Sequence, residues 1–333
     1  MRGLTLFCGK DKAIEAITLL LSSGQERVDQ ALQTAIRHFE TTFPGRVSGY
    51  YVEGSYATGT GIATSDLDLS IVFRGHFADE AERASARAMV EQCASESPVE
   101  FDASVLDEAS LCKGASPQFK LGSTLVYGED IRDQIPLIPI EVWTRDRMHA
   151  AYWLMVNIFN RPKVLRLPLG FPNPNDEWRG YASRKVRLPD GTEVPSTRNL
   201  IRSTGWAATA LLALHAKRYI TSKRECHMIY RAVINDEWAT LFEDMYLYCR
   251  EHWQYLLPQT EEGRQRLRTM CERTLAFENH FLGVYKNYLL AQISSADEAS
   301  ITHALWVLGQ ITFDDAEVQN AVRALRRPFP LVF

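Results

Sequence analysis

Residues 66–73 read Asp-Leu-Asp-Leu-Ser-Ile-Val-Phe, and the alternation at the start of this run narrows the fold more than any other feature of the chain. In a strand, residues two apart point to the same face. Leu67, Leu69 and Ile71 then face a core, while Asp66 and Asp68 stand side by side on the opposite face. Two carboxylates so close repel each other unless something positive lies between them. A hard cation that prefers oxygen ligands, such as magnesium, meets that need. The run therefore asks for a sheet with one buried face and a charged site on the other.

The flanking residues supply the rest of such a domain. Ser23-Gly-Gln-Glu26 has the form of a capping box. Val28, Leu32, Ala35, Ile36 and Phe39 recur behind it at helical spacing, which predicts a helix over 25–42, closed by Pro44-Gly45. Residues 47–52 read as a strand, and 54–65, rich in Gly, Ser and Thr, as a tight turn or loop. Residues 67–73 form a second strand, 78–93 a helix, 99–106 a third strand and 111–127 a weakly helical stretch before Gly128. Beyond residue 148 the grammar changes. Residues 148–159 are apolar and helical, and 161–196 are broken repeatedly by Pro and Gly. Within that stretch, 185–194 predict a hairpin around Asp190-Gly191. Residues 197–325 read as helical, and their aromatics (Trp238, Tyr246, Tyr248, Trp253, Tyr255, Phe277, Phe281, Tyr285 and Tyr288) as bundle core. The expected architecture is an α/β (α+β) domain with a mixed sheet over 1–150, then an all-α helical bundle over 151–333 that begins irregularly over 160–196.

Composition removes several function classes. With 46% hydrophobic and 23% charged residues the chain is an ordinary globular one. It has no uncharged apolar run long enough to span a membrane, and residues 1–12 lack the apolar centre of a secretory signal. No two of its six cysteines lie within four residues of each other, so no zinc pattern is present, and reduced thiols in a cytoplasm are expected. The histidines show no metal-ligand pairing. A formal net charge of −4 gives no support to general nucleic-acid binding.

Gly54-Ser55 begins the loop that leads to the aspartates. A glycine lets backbone amides approach a phosphate closely, a serine hydroxyl adds a donor, and a helical turn behind them would favour an anion. A third carboxylate is expected from a neighbouring strand. Glu100 and Asp102 share a face by the period of two, so parity does not separate them. Such a set could hold two metal ions, position a triphosphate and accept the proton of an attacking hydroxyl.

Gly54-Ser55, followed eleven residues after the serine by Asp66-Leu67-Asp68, resembles the signature of the DNA polymerase β-like nucleotidyltransferase superfamily. Ser65 before the pair and Gly59 within the spacer are similar to its aminoglycoside adenylyltransferase-like branch. Val-Glu-Phe-Asp102 resembles the strand of the third carboxylate, and Leu125 to Asp130 the segment after it. Ser222-Lys223 is similar to a Ser-Lys segment whose lysine contacts the triphosphate in the antibiotic adenylyltransferases. The competing reading of Lys223 is a helix-start lysine behind an N-cap serine. For Arg179, Arg184, Lys185, Arg187, Arg198 and Arg202 a solvated hairpin and helix start is the favoured reading.

The resemblance implies a magnesium-dependent enzyme that moves a nucleoside monophosphate, AMP from ATP first among the triphosphates, onto a hydroxyl of a small-molecule acceptor. Asp66, Asp68 and Asp102 would hold metal, with Glu100 the alternative third carboxylate. Gly54, Ser55, Ser65 and Lys223 would contact the nucleotide, in a cleft between the two domains. Transfer to a protein or an RNA end, and a catalytically inactive nucleotide-binding protein, are the rival expectations.

Overall fold

The computed structural model describes residues 17–162 and 164–325, so the expectation for residues 1–12 and for Cys8 lies outside the described residues. By contact the chain divides into two units. One holds 17–61 and 65–137, and the other holds Ile62–Thr64 and 138–325.

The first unit is built on a four-stranded sheet. Helix α1 (Glu26–Thr42) buries Val28, Leu32, Ala35, Ile36 and Phe39, the stripe that the periodicity marks. Its start differs from the capping box read at Ser23. The N-cap is Gln25, which makes no side-chain cap bond. The Ser23 hydroxyl instead turns back on Gln25, donating to its carbonyl (3.1 Å) and accepting from its amide (3.2 Å). Asp29, in the first turn, accepts from the Ser23 amide at 2.8 Å and the Ser22 hydroxyl at 2.5 Å. A carboxylate there also suits the positive end of the helix dipole.

Strand β1 (Val47–Glu53) leads into a one-turn helix, α2 (Gly54–Ala57). Strand β2 (Leu67–Phe73) follows, then α3 (Glu80–Glu96) and β3 (Phe101–Asp107). Asp79 caps α3 by accepting the Glu82 amide at 2.8 Å. Two short helices, α4 (Glu108–Leu111) and α5 (Pro117–Gly122), precede β4 (Thr124–Gly128). The helical reading of 111–127 holds over α5, and this last strand corrects its end. Thr124, Leu125 and Tyr127 pair antiparallel with β1, and that pairing overrides local preference. The sheet order is β3-β2-β1-β4, with β1 antiparallel to β2 and β4, and β2 parallel to β3. The sheet is thus mixed.

Alternation sends Tyr50, Val52, Leu67, Leu69, Ile71 and Phe73 into one core with α1 and α3. Phe39 is fully buried there, 6.5 and 6.4 Å from the rings of Tyr50 and Phe73. Burial of such a ring contributes about 1.5–3 kcal/mol. The opposite face carries a smaller cluster of Tyr51, Val72, Leu111, Ala115, Phe119 and Ile135. By the same alternation Glu53, Asp68, Ser70, Asp102 and Ser104 lie on this second face.

The second unit opens with α6 (Ile140–Ile158), so the division falls after Leu137 rather than at residue 150. A short β5 (Val164–Leu165) follows, then the expected hairpin of β6 (Lys185–Arg187) and β7 (Glu193–Pro195), with the Gly191 amide donating to the Leu188 carbonyl at 2.9 Å. Helices α7 (Arg198–Ala216), α8 (Lys223–Val233) and α9 (Ala239–Asp244) lead into a π-helical stretch, Met245–His252. The 33-residue α10 (Glu261–Ile293), α11 (Glu298–Gln310), β8 (Thr312–Phe313) and α12 (Ala316–Leu325) complete the unit. β8 pairs parallel with β5. Tyr246, Tyr255, Phe277, Phe281 and Tyr285 are buried in its core, and Trp238, Tyr248, Trp253 and Tyr288 pack against it. No helix among the described residues is long and apolar enough to cross a membrane.

Candidate active site

Strand β1 ends at Glu53, and the chain turns sharply into α2 through Gly54 at φ +64°. This left-handed conformation favours glycine. A second constraint acts on the same atom: a β-carbon on residue 54 would lie 2.7 Å from Asp68 Oδ2. The missing side chain therefore makes room for the Asp68 carboxylate. The spacer after Ser55 is folded back on the turn. The Thr60 amide donates to the Ser55 carbonyl at 2.8 Å, the Thr124 hydroxyl to the Ala57 carbonyl at 3.2 Å, and the Gln25 amide group to the Gly61 carbonyl at 3.3 Å.

The strand register then sets out the carboxylates. Asp68 is the partner of Asp102 on parallel β3 and of Glu53 on antiparallel β1. The three therefore form one cross-strand row, where lateral neighbours stand about 4.5–5.5 Å apart. The apolar neighbours of all three, Val52, Leu67, Leu69, Phe101 and Ala103, pack in the α1–α3 core, so the row lies on the face away from it. Asp66 and Ser65 directly precede β2; Ser65 is buried and Asp66 partly so. Glu100 lies just ahead of β3, which begins at Phe101 rather than at residue 99. Its carbonyl accepts the Leu67 amide at 2.8 Å. Asp102 is exposed and Glu100 half-buried.

Glu53 is a member of this row that period-two reasoning on β2 and β3 passes over. Burial pushes its carboxyl above the usual carboxylate range, against the pull of the Ser70 hydroxyl, which donates to it at 2.5 Å. The signal was present in the alternation of β1, where Glu53 follows Tyr51 by two, but its pairing with Asp68 depends on the register of two strands.

The donor set is all oxygen, which suits a hard divalent cation. Among the described residues no three His, Cys, Asp or Glu side chains are drawn together tightly enough to hold a metal ion. Magnesium retains several waters and commonly takes one or two carboxylates together with substrate phosphates. The carboxylates present thus fit an ion that arrives with a triphosphate, and they do not form a closed protein cage.

Lys223 belongs to the second unit. It is the first residue of α8, behind Ser222, whose hydroxyl caps the helix by accepting the Glu225 amide at 3.1 Å. Its ammonium lies 3.4 Å from the Tyr255 hydroxyl and 5.7 Å from that ring's centroid. The guanidinium carbons of Arg198 and Arg250 lie 5.5 and 5.2 Å from the same centroid. Tyr255 itself is buried and held at φ +68°.

Residues 32–163 match the family model described as a nucleotidyltransferase domain. No curated protein matches the chain. Among solved structures, the chain is similar to spectinomycin adenyltransferase AAD(9) from Enterococcus faecialis, crystallised with ATP and spectinomycin. That likeness is at 12% identity over 74% of this chain and 98% of the other, with a TM-score of 0.45. The matched span contains the whole of the mixed sheet, the Gly54 turn and every carboxylate of the row. Over residues 32–163, then, the chain is similar to a nucleotidyltransferase domain.

Proposed function

We propose that the chain transfers AMP from ATP, with magnesium, to a hydroxyl of a small-molecule acceptor. The observation that carries this reading is the row in which Asp68 stands in register beside Asp102 and against the bare Cα of Gly54. The acceptor oxygen attacks the α-phosphorus, the bond to the bridging oxygen of the β-phosphate breaks, and pyrophosphate leaves. Asp66, Asp68 and Asp102 would share two magnesium ions with the phosphates, and the ions would supply charge neutralisation for the transferring group.

Each residue of the chain has a task in that scheme. Gly54 and Ser55 offer backbone amides and a hydroxyl to the β- and γ-phosphates, and Ser65 is a further proposed contact of the nucleotide. Asp102, exposed where Asp68 is partly buried, accepts the proton of the attacking hydroxyl, with Glu100 as the alternative. Lys223 is the proposed triphosphate contact of the helical unit. The net charge of −4 favours a small acceptor over an RNA end. The free thiols of Cys93, Cys112, Cys226, Cys249 and Cys271 suit a reducing cytoplasm.

The test is incubation of the protein with α-labelled ATP, magnesium and a cell extract. Label in a small-molecule fraction supports the reading. Label in protein or RNA replaces the acceptor class, and no transfer to any fraction rejects the proposed activity.

A further inference from the structure

The helical unit contains a cavity of about 450 Å³ whose walls come from α6, α7 and α11. Asp146, His149 and Trp153 line it from α6, Trp206 from α7, and His303 and Trp306 from α11. The volume is that of a small-molecule site, and such sites pair aromatic walls with few polar groups. Two features show that the cavity is not simply spare space in a core. Trp306, on the cavity wall, leaves 52% of its surface exposed. His149 is only 9% exposed, and its Nε2 has no hydrogen-bond partner. The other ring nitrogen, Nδ1, lies 2.9 Å from the Tyr285 hydroxyl. Whichever nitrogen carries the proton, a buried polar atom on the cavity wall lacks a partner, and native interiors rarely leave one so.

The geometry of the walls selects the ligand. The ring of His149 meets those of Trp153 and His303 at 84° and that of Trp306 at 59°. These rings lie 5.0–6.2 Å from His149 and pack on it edge-on or tilted, as one aromatic cluster in the cavity wall. A wall of aromatic rings attracts a cation through the ring faces. Asp146 is the one charged group of the lining, and it makes no hydrogen bond or ion pair with a described residue. Burial holds both imidazoles below their usual pKa, His303 at about 4 with help from Arg145, so neither opposes a cation at neutral pH. Two arginines face Asp146 from its own helix. The Arg147 guanidinium already lies over Trp143 and Trp206, at 4.3 and 4.8 Å, and Arg145 reaches the Ser300 hydroxyl at 3.5 Å. Among the described residues no cation lies over Trp153 or Trp306.

We propose that this cavity binds a small organic ammonium ion that also carries a hydroxyl group. The ammonium sits against Trp153 and Trp306 with Asp146 as counter-ion, and the hydroxyl meets Nε2 of His149. A hydroxyl both donates and accepts, so it satisfies either tautomer. The proposal stands whether or not the transfer chemistry above is correct.

Choline is the probe, and 3,3-dimethylbutan-1-ol, of the same shape without charge, is its control. Titration of the full chain is followed by tryptophan fluorescence and by saturation-transfer NMR of the probe. The expected result is saturable choline binding, with the neutral isostere at least about tenfold weaker. Trp306→Ala and Asp146→Asn should each weaken choline at least about fivefold while melting as the parent does. Trp306→Leu serves if the alanine variant does not fold. No saturable choline signal, equal binding of the neutral isostere, or unchanged binding in both folded variants overturns the proposal.

Discussion

The carboxylate of Asp68 rests against the α-carbon of Gly54, with Oδ2 only 2.7 Å from where a β-carbon would stand. Gly54 is thus held by its backbone angle and by its neighbour together. Gly59, five residues on, has a similar φ of +67° but nothing within 4 Å of its missing β-carbon. The two glycines separate backbone strain from displacement of the carboxylate. Gly59→Ala should cost only the left-handed backbone penalty, about 1–2 kcal/mol, and leave transfer near wild type. Gly54→Ala should lose transfer at least about tenfold. Equal transfer rates in the two variants, at temperatures where both are folded, would remove the significance of the contact.

The shared start of β2 makes a paired prediction about Asp66 and Asp68. Asp66→Ala or Asp68→Ala should abolish nucleotidyl transfer and leave the fold intact. ATP should protect the wild-type chain against thermal unfolding when magnesium is present and not in chelator, because binding to the native state raises stability by mass action. Without metal the carboxylates would meet the phosphates as bare like charges. Equal protection in the two conditions would contradict the metal bridge.

Asp102 and Glu100 lie about 7 Å apart along the chain at a rise of roughly 3.4 Å per residue. Only Asp102 is in register with Asp68. Asp102→Asn keeps the shape and removes the charge and basicity, so turnover should collapse with ATP binding less affected. Glu100→Gln should do much less. A dead glutamine variant beside an active asparagine variant reverses the assignment.

Glu278 is fully buried in the helical unit, where its Oε2 accepts from the Arg161 guanidinium and, at 2.8 Å, from the Tyr181 hydroxyl. Burial pushes its carboxyl from 4.5 up to about 7, against the pull of both donors. A raised folded-state value means that the associated stability is full below 4.5 and is lost as pH rises through about 7. Urea unfolding should therefore show the wild type losing stability relative to Glu278→Gln between pH 5 and 8. The difference is on the order of 2–3 kcal/mol at about 1.36 kcal/mol per pKa unit. Parallel pH curves for the two proteins would refute this.

Strand β2 was legible to the residue at 67–73, and so was the hairpin around Asp190-Gly191. Period-two alternation and turn chemistry act within a few residues, and both segments obey them. The helical stripe of α1 was legible for the same reason, although its capping was not, because Asp29 competes for the Ser22 and Ser23 donors. By itself, then, the sequence determined which residues are strand or helix where local signals are strong, and its alternation led to the expectation that Asp66 and Asp68 share a face. Tertiary structure decided everything that depends on register. Thr124–Gly128 became a strand because β1 offered it an antiparallel edge. Parity could not tell Glu100 from Asp102, whereas the parallel pairing of β2 with β3 sets Asp102 beside Asp68. Glu53 entered the row through the antiparallel register of β1 with β2, and the aromatic cavity exists only where three helices far apart in sequence meet. Local propensity fixes the direction in which a side chain points, but which side chain it meets is set by long-range pairing of hydrogen-bonding edges and buried faces.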